Sequence, residues 1–315
     1  MSVKGTQFRA QVDKLLTNVS NMYKPEGMVA DKILTPLPVI QDSGILPSYG
    51  NSHLRLVNTR SGGRGRARLV QAIERDISKK YNIIPHELRG EVTEDDYRNV
   101  EAPYDAEKDE TLGITSLISI EKEYNLASVL GDPSIITQNT NLTSGDIWSA
   151  YDTSNPVSDV KVAHETVREG CGMPANKAVM DWSVYNNLRY HPQVLENLGF
   201  KDNRAGTLTP QEIAMFLNVQ EVHIAQALFN DANEGQDDDL KPIWGKGLVL
   251  LHAPNAAAKQ QVSLGYNCHL RGGQRRVKKW QIEETFGNTG LLVGDNYSFE
   301  FVNTGAAYLI QNTIA

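Results

Sequence analysis

Hydrophobic and polar positions alternate with different periods along the chain, and the period marks out the elements. Between 106 and 130, Ile114, Leu117, Ile118, Tyr124 and Ala127 recur at helical spacing. A stripe of that width predicts one long helix with these five side chains on its inner face. Asp105 stands at the cap position, and Glu107, Asp109 and Glu110 suit the positive helix start. Gly131-Asp132-Pro133 supplies the stop. The polar stretch 138–155 predicts a loop carrying short strands. From Pro156 onward helical and strand patterns alternate. Helices are predicted over 157–170, 181–199 (broken near Pro192) and 209–217, where Thr209, Pro210 and Glu212 spell a capping box. Strands are predicted over 176–180, 219–229 and 246–254. The tail turns to period two at 277–284, 291–303 and 306–314, with Tyr297, Phe299 and Phe301 on one face. The pattern is that of an α+β protein.

The first hundred residues read differently. A short helix is expected over 7–19, followed by an extended arm, 24–49, with Pro36, Pro38 and Pro47. Proline removes a backbone donor and fixes φ, so this arm is excluded from helices and central strands. About 25 extended residues reach on the order of 80 Å, which makes the arm a tether. Its apolar residues Ile33, Leu34, Leu37, Val39, Ile40, Ile45 and Leu46 are expected to lie across a neighbouring subunit. Next, HLRLVNTR and RARLVQAI alternate on either side of SGGRG and predict a hairpin. A two-stranded hairpin alone is marginal in water, and no adjacent strand extends it, so it too is expected to rest on another subunit.

Charge sharpens that expectation. Residues 60–80 carry seven cations against Glu74 and Asp76, while 91–110 carry nine anions against Arg98 and Lys108. Blocks of opposite sign point to complementary surfaces. Arg60, Arg64, Arg66 and Arg68 on the hairpin, and Glu94, Asp95, Asp96 and Glu107 beyond it, are therefore candidate intersubunit contacts. Phosphate contact and plain solvation remain alternatives for the hairpin arginines. A second basic run, Arg275, Arg276, Lys278 and Lys279, opens the tail strands and is a candidate DNA-facing surface.

Composition narrows the class. The 315 residues are 40% apolar with net charge −7, enough to build a core and too acidic for a protein whose main work is gripping nucleic acid. No run of 18 apolar residues exists, and the N-terminus lacks the pattern of a secretory signal. Two cysteines, Cys171 and Cys268, exclude a disulfide framework and fit a reducing compartment. There is no internal repeat. Phosphate-loop, H-E-x-x-H, G-x-S-x-G and paired C-x-x-C motifs are absent, and the seven histidines lack metal-ligand spacing. His164-Glu165 reads as a surface pair, and Cys171 as a small buried thiol. No catalytic residue, cofactor or metal is expected.

Order along the chain then becomes informative. An arm, VADKILTPLPVIQDSGILPSYG, precedes HLRLVNTRSGGRGRARLV and the long helix APYDAEKDETLGITSLISIEKEYNLASVL. Further on come Gly172, Pro174, Asn176, Trp182, His191-Pro192, Trp244-Gly245 and the closing AAYLIQNTI. This succession, over nearly the whole chain, resembles the tailed-phage major capsid proteins of the Hong Kong ninety-seven-type fold, shared with encapsulin shells.

The resemblance implies a fold with an N-arm (1–50), an extended E-loop hairpin (51–98), a peripheral P-domain (99–150 and 281–315, with the long spine helix and C-terminal strands) and an axial A-domain (151–280). It implies self-assembly as pentamers and hexamers into an icosahedral head enclosing double-stranded DNA, located in the virion after assembly in the host cytoplasm. Expected partners are further copies of the chain, a separate scaffolding protein (only a short helix precedes the arm), a portal, a decoration protein and weakly held DNA, with no membrane. No lysine–asparagine cross-link pair can be placed, and none is expected. An encapsulin-like nanocompartment shell is the alternative, and a DNA-binding protein using the arginine hairpin is a third reading.

Overall fold

A computed structural model describes residues 11–46, 48–49, 75–76, 78–99, 104–199, 208–233, 235–257, 261–271, 275–282 and 288–315. Its longest element is the helix Ala106–Leu130, capped by the Asp105 carboxylate, which accepts from the Lys108 amide, and closed at Gly131. Twenty-five residues at helical rise span about 37 Å. The predicted helix therefore stands with the same bounds, and its inner face is partly the predicted one, with Ile114, Ile118 and Ala127 buried as expected. Leu117 and Tyr124 are exposed, while Lys122 and Glu123 are buried with Ile114, Ile118, Leu126 and Leu130. Thr111, Thr115 and Ser119 also point inward, each hydroxyl donating to the carbonyl one turn back.

That helix lies on a six-stranded sheet. Its main path runs Gln11–Val12, Arg275–Gln281, Thr289–Phe301, Gly265–Leu270 and Thr35–Val39, with Ile84–Val92 also paired to Thr289–Phe301. The 13-residue strand Thr289–Phe301 is the hub. Antiparallel to it run Arg275–Gln281 (Arg275 opposite Asp295), Gly265–Leu270 (Gly265 opposite Phe301) and Ile84–Val92. Period-two alternation turns Val277, Leu291 and Val293 toward the helix, where they bury against Leu16, Val92, Ile114 and Ile118.

A five-stranded sheet forms the second centre, in the order Glu221–Ala225, Lys177–Asp181, Leu248–Leu251, Ala307–Gln311, Asn139–Asn141. The helix Pro156–Cys171 packs Val160, Ala163, Val167 and Cys171 into its core. The capping box is formed: the Thr209 amide donates to Glu212, and the Glu212 amide to the Thr209 hydroxyl. The chain breaks at Pro192, between Trp182–Leu188 and Pro192–Asn197. The last strand, Ala307–Gln311, belongs to this sheet, whereas Gly265–Leu270 and Arg275–Gln281 belong to the other.

The arm departs from expectation. Ala30, Ile33 and Leu34 are buried in the main core of their own chain, Ile33 and Leu34 with no exposed surface. Thr35–Val39 then forms the edge strand of the six-stranded sheet, parallel to Gly265–Leu270. An edge leaves one row of backbone groups unpaired, which is where Pro36 and Pro38 are tolerated. The arm is thus a core element of its own subunit up to Val39, and the tether reading is corrected there. Beyond it, Ser43–Ile45 pairs with Lys80–Asn82, and Ser48–Tyr49 with Arg75–Asp76. The predicted hairpin turn, with Arg60, Arg64, Arg66 and Arg68, lies outside the described residues.

Candidate functional site

Where arm, long helix and long strand meet, charges are buried together. Lys122 is 2% exposed and Asp295 1%; their charged atoms are 3.5 Å apart. The Lys122 ammonium also sits 2.7 Å from Asp31 and 4.4 Å above the Tyr297 ring. Arg275 donates to Asp295 at 3.3 Å, to the carbonyls of Ser20 and Tyr23, and to the Ser119 hydroxyl. Glu123, one residue along the helix, accepts from the amides of Val29 and Ala30 and from the Trp244 indole at 2.6 Å. Burial raises the pKa of Asp31, but Lys122 and Arg275 outweigh it and hold the group below the usual range. Burial pushes Glu123 upward, and its three donors only partly offset this. The junction clamps residues 29–31 onto the helix through ion pairs and hydrogen bonds. Sequence reasoning missed it because Lys122-Glu123 reads as a solvated pair until Asp31, Asp295 and Trp244 are brought to it.

The predicted acidic contacts are mostly engaged within the chain. Glu94 pairs with Arg98 at 2.6 Å. Asp96 accepts from the Thr93 hydroxyl and amide at 2.7 and 2.8 Å, and those bonds lower its pKa. Glu107 accepts from the Lys279 ammonium and, at 2.6 Å, from the Tyr97 hydroxyl. Of the four, Asp95 alone has no partner among the described residues.

The tail cations divide by strand period. Arg275 and Lys279 face the helix and are held by Asp295 and Glu107. Both already have a carboxylate partner in their own chain, and about a third of the Lys279 side chain stays exposed. Arg276 and Lys278 point to the opposite face and have no such carboxylate among the described residues. His164 and Cys171 also have structural roles: the imidazole meets the Leu217 carbonyl at 2.5 Å, and the buried thiol donates to the Met173 carbonyl, burial pushing its pKa up. Among the described residues no group of histidine, cysteine and carboxylate side chains is arranged to hold a metal ion. No helix among them is long and apolar enough to cross a membrane.

A long helix on a mixed six-stranded sheet, beside a second five-stranded sheet, can be compared with solved structures. The chain aligns with the major capsid protein of Burkholderia phage BcepMu at 24% identity, over 86% of this chain and 89% of that protein. The major capsid protein of Pseudomonas phage JBD67 is 22% identical over 94% and 98%. A phage-related protein from Bordetella bronchiseptica superposes with a TM-score of 0.74 at 21% identity, covering 96% of this chain and 98% of that one. The capsid structure of Cyanophage P-SCSP1u superposes at 0.56 with 10% identity, over 92% of this chain and 89% of that one. The chain has the phage capsid fold. The encapsulin SrpI of Synechococcus elongatus shares this capsid fold at a TM-score of 0.51, with 11% identity over 96% of each chain. No family model matches the sequence. In this chain the buried charge junction joins the long helix Ala106–Leu130 to residues 29–31 and to the strand Thr289–Phe301.

Proposed function

We propose that this chain is the major capsid protein of a tailed bacteriophage, assembling as pentamers and hexamers into an icosahedral head around double-stranded DNA. The observation that carries this reading is the near end-to-end alignment with two phage major capsid proteins. The capsid fold supports it. The role is structural, without a catalytic site. We assign residues 1–50 to the N-arm, 51–98 to the E-loop, 99–150 and 281–315 to the P-domain and 151–280 to the A-domain. Arg60, Arg64, Arg66 and Arg68 are proposed to meet acids of a neighbouring subunit, with Asp95, the one of the four acidic candidates without a partner among the described residues, open to receive them. Scaffolding, portal and decoration proteins are proposed partners during assembly in the host cytoplasm. The exposed apolar residues Leu88 and Leu117, together with Tyr124 on the spine, fit a subunit completed by its neighbours.

Negative-stain microscopy of the purified full-length protein, with nuclease protection of particle contents, tests the proposal. Closed shells that protect DNA when made during phage infection are the expected result. A dilute, stable monomer that never associates would refute it. Shells filled with an enzyme cargo would favour the encapsulin-like alternative, which the SrpI superposition supports.

A further inference from the structure

A second crevice of about 570 Å³ opens where the first described helix, Lys14–Met22, meets the sheet edge. Its wall includes Asn21, His269, Arg271, Arg275 and Arg276, and contains three arginines and a histidine but no carboxylate. The three arginines are not equivalent. Arg275 is saturated by Asp295, two carbonyls and a hydroxyl. Arg271 and Arg276 are exposed and their guanidinium groups have no partner among the described residues, although the Arg271 backbone is fixed by a 2.8 Å bond to the Val39 carbonyl. His269 turns Nδ1 toward the Asn267 carbonyl at 3.3 Å.

We propose that this crevice binds the phosphodiester backbone of nucleic acid, with Arg271 and Arg276 as its phosphate ligands and His269 beside them. Guanidinium forks match phosphate oxygens, and a wall without acids leaves that positive potential unopposed in a chain whose net charge is −7. The crevice is continuous with a larger one of about 680 Å³ through Asn21, His269 and Arg275, where Lys24 and Lys32 stand at the rim. Of the three acids of that larger crevice, Asp31 is held by Lys122 and Glu123 by two amides and an indole, while Glu26 faces solvent beside Lys24. A basic groove longer than one phosphate favours a polymeric anion over a single carboxylate of a neighbour. Contacts to phosphate carry no base information, so binding is indifferent to sequence. The inference rests on the capsid reading only for the presence of DNA.

The test uses the full-length protein and two fluorescently labelled duplexes of unrelated sequence, with binding followed by anisotropy across a salt series. Arg271→Gln/Arg276→Gln is compared with wild type and with Lys161→Gln, an exposed cation on the distant helix Pro156–Cys171. Circular dichroism confirms folding. The double variant is expected to bind both duplexes about tenfold more weakly, with the salt slope reduced by about 2, while Lys161→Gln changes neither. Unchanged binding in the double variant would overturn the proposal, as would unchanged DNA binding with lost subunit association in sedimentation, which would assign the crevice to carboxylates of a second copy. If wild type forms no shells but binds as expected, the capsid reading fails and the site stands. Normal shells with no arginine-dependent binding give the reverse.

Discussion

Replacing Asp295 by asparagine keeps the side chain's shape and removes one charge from beneath the spine helix. Asp295 is 1% exposed and lies 3.5 Å from the Lys122 ammonium and 3.3 Å from Arg275. Asparagine would leave both cations facing each other with only Asp31 to compensate, and Asp31 is half exposed. Breaking a buried ion pair from one side costs about 3–5 kcal/mol. Lys122→Met should cost less, about 1–2 kcal/mol, because Asp295 keeps Arg275 and methionine fills the space over Tyr297. The double variant should then be more stable than the sum of the two losses predicts, by at least about 1 kcal/mol. Urea unfolding of unassembled subunits, followed by circular dichroism, measures all four corners of the cycle. A loss below about 1 kcal/mol for Asp295→Asn, or strict additivity in the double variant, would show that the junction is wet and that its charges are not coupled.

Deleting residues before Gly50 should unfold the five-stranded core, because Ile33 and Leu34 are wholly buried in it and each such loss is worth about 2–5 kcal/mol; a native far-ultraviolet spectrum from the truncated chain would contradict this. Gly170→Ala should lower the melting temperature, since a Cβ there would lie 2.3 Å from the Gly305 carbonyl, whereas Gly113→Ala, with open space in mid-helix, should gain about 0.5–1 kcal/mol in the same melting assay. His223 is held near pKa 4, first by burial and then by Lys177, with Glu221 and Lys32 also facing it. Because its folded pKa lies below the ordinary value of 6.5, the unfolded chain takes the proton first. Stability is therefore full above about 6.5 and falls by about 1 kcal/mol per pH unit toward 4, a slope that His223→Gln should reduce in pH-dependent urea titrations. Exchanging Arg64, Arg66 and Arg68 for glutamate should block shell assembly in sedimentation; normal particles would rule out the docking role.

The parts of the fold that follow from local rules were legible. Asp105, the acidic first turn and Gly131 set the bounds of the spine helix, and Thr209 to Glu212 announced the capping box. Period two found the tail strands. The inner face of the spine was partly misread because periodicity weighs side chains by polarity alone. Lys122 and Glu123 are buried for their partners, and those come from residues 29–31, 244 and 295, far away in sequence. The arm was misread for a related reason. Its prolines exclude helices and central strands, but an edge strand satisfies them, and edges are defined only once the sheet exists. The split of the tail cations into held and free groups followed from alternation, yet needed the helix position to say which side was which.

The placement of the final strand has a consequence in time. Ala307–Gln311 sits inside the five-stranded sheet, between Leu248–Leu251 and Asn139–Asn141, so that sheet cannot close until residue 311 has been made. Synthesis at about 5–20 residues per second puts roughly 9–35 s between Asn139–Asn141 and the strand that pairs with it. Throughout that interval Ile33 and Leu34 have no finished core to enter, because Leu309 and Ile310 form part of its wall. A growing chain that has not reached residue 311 therefore presents no closed five-stranded core, and topology delays the finished subunit until that strand is in place.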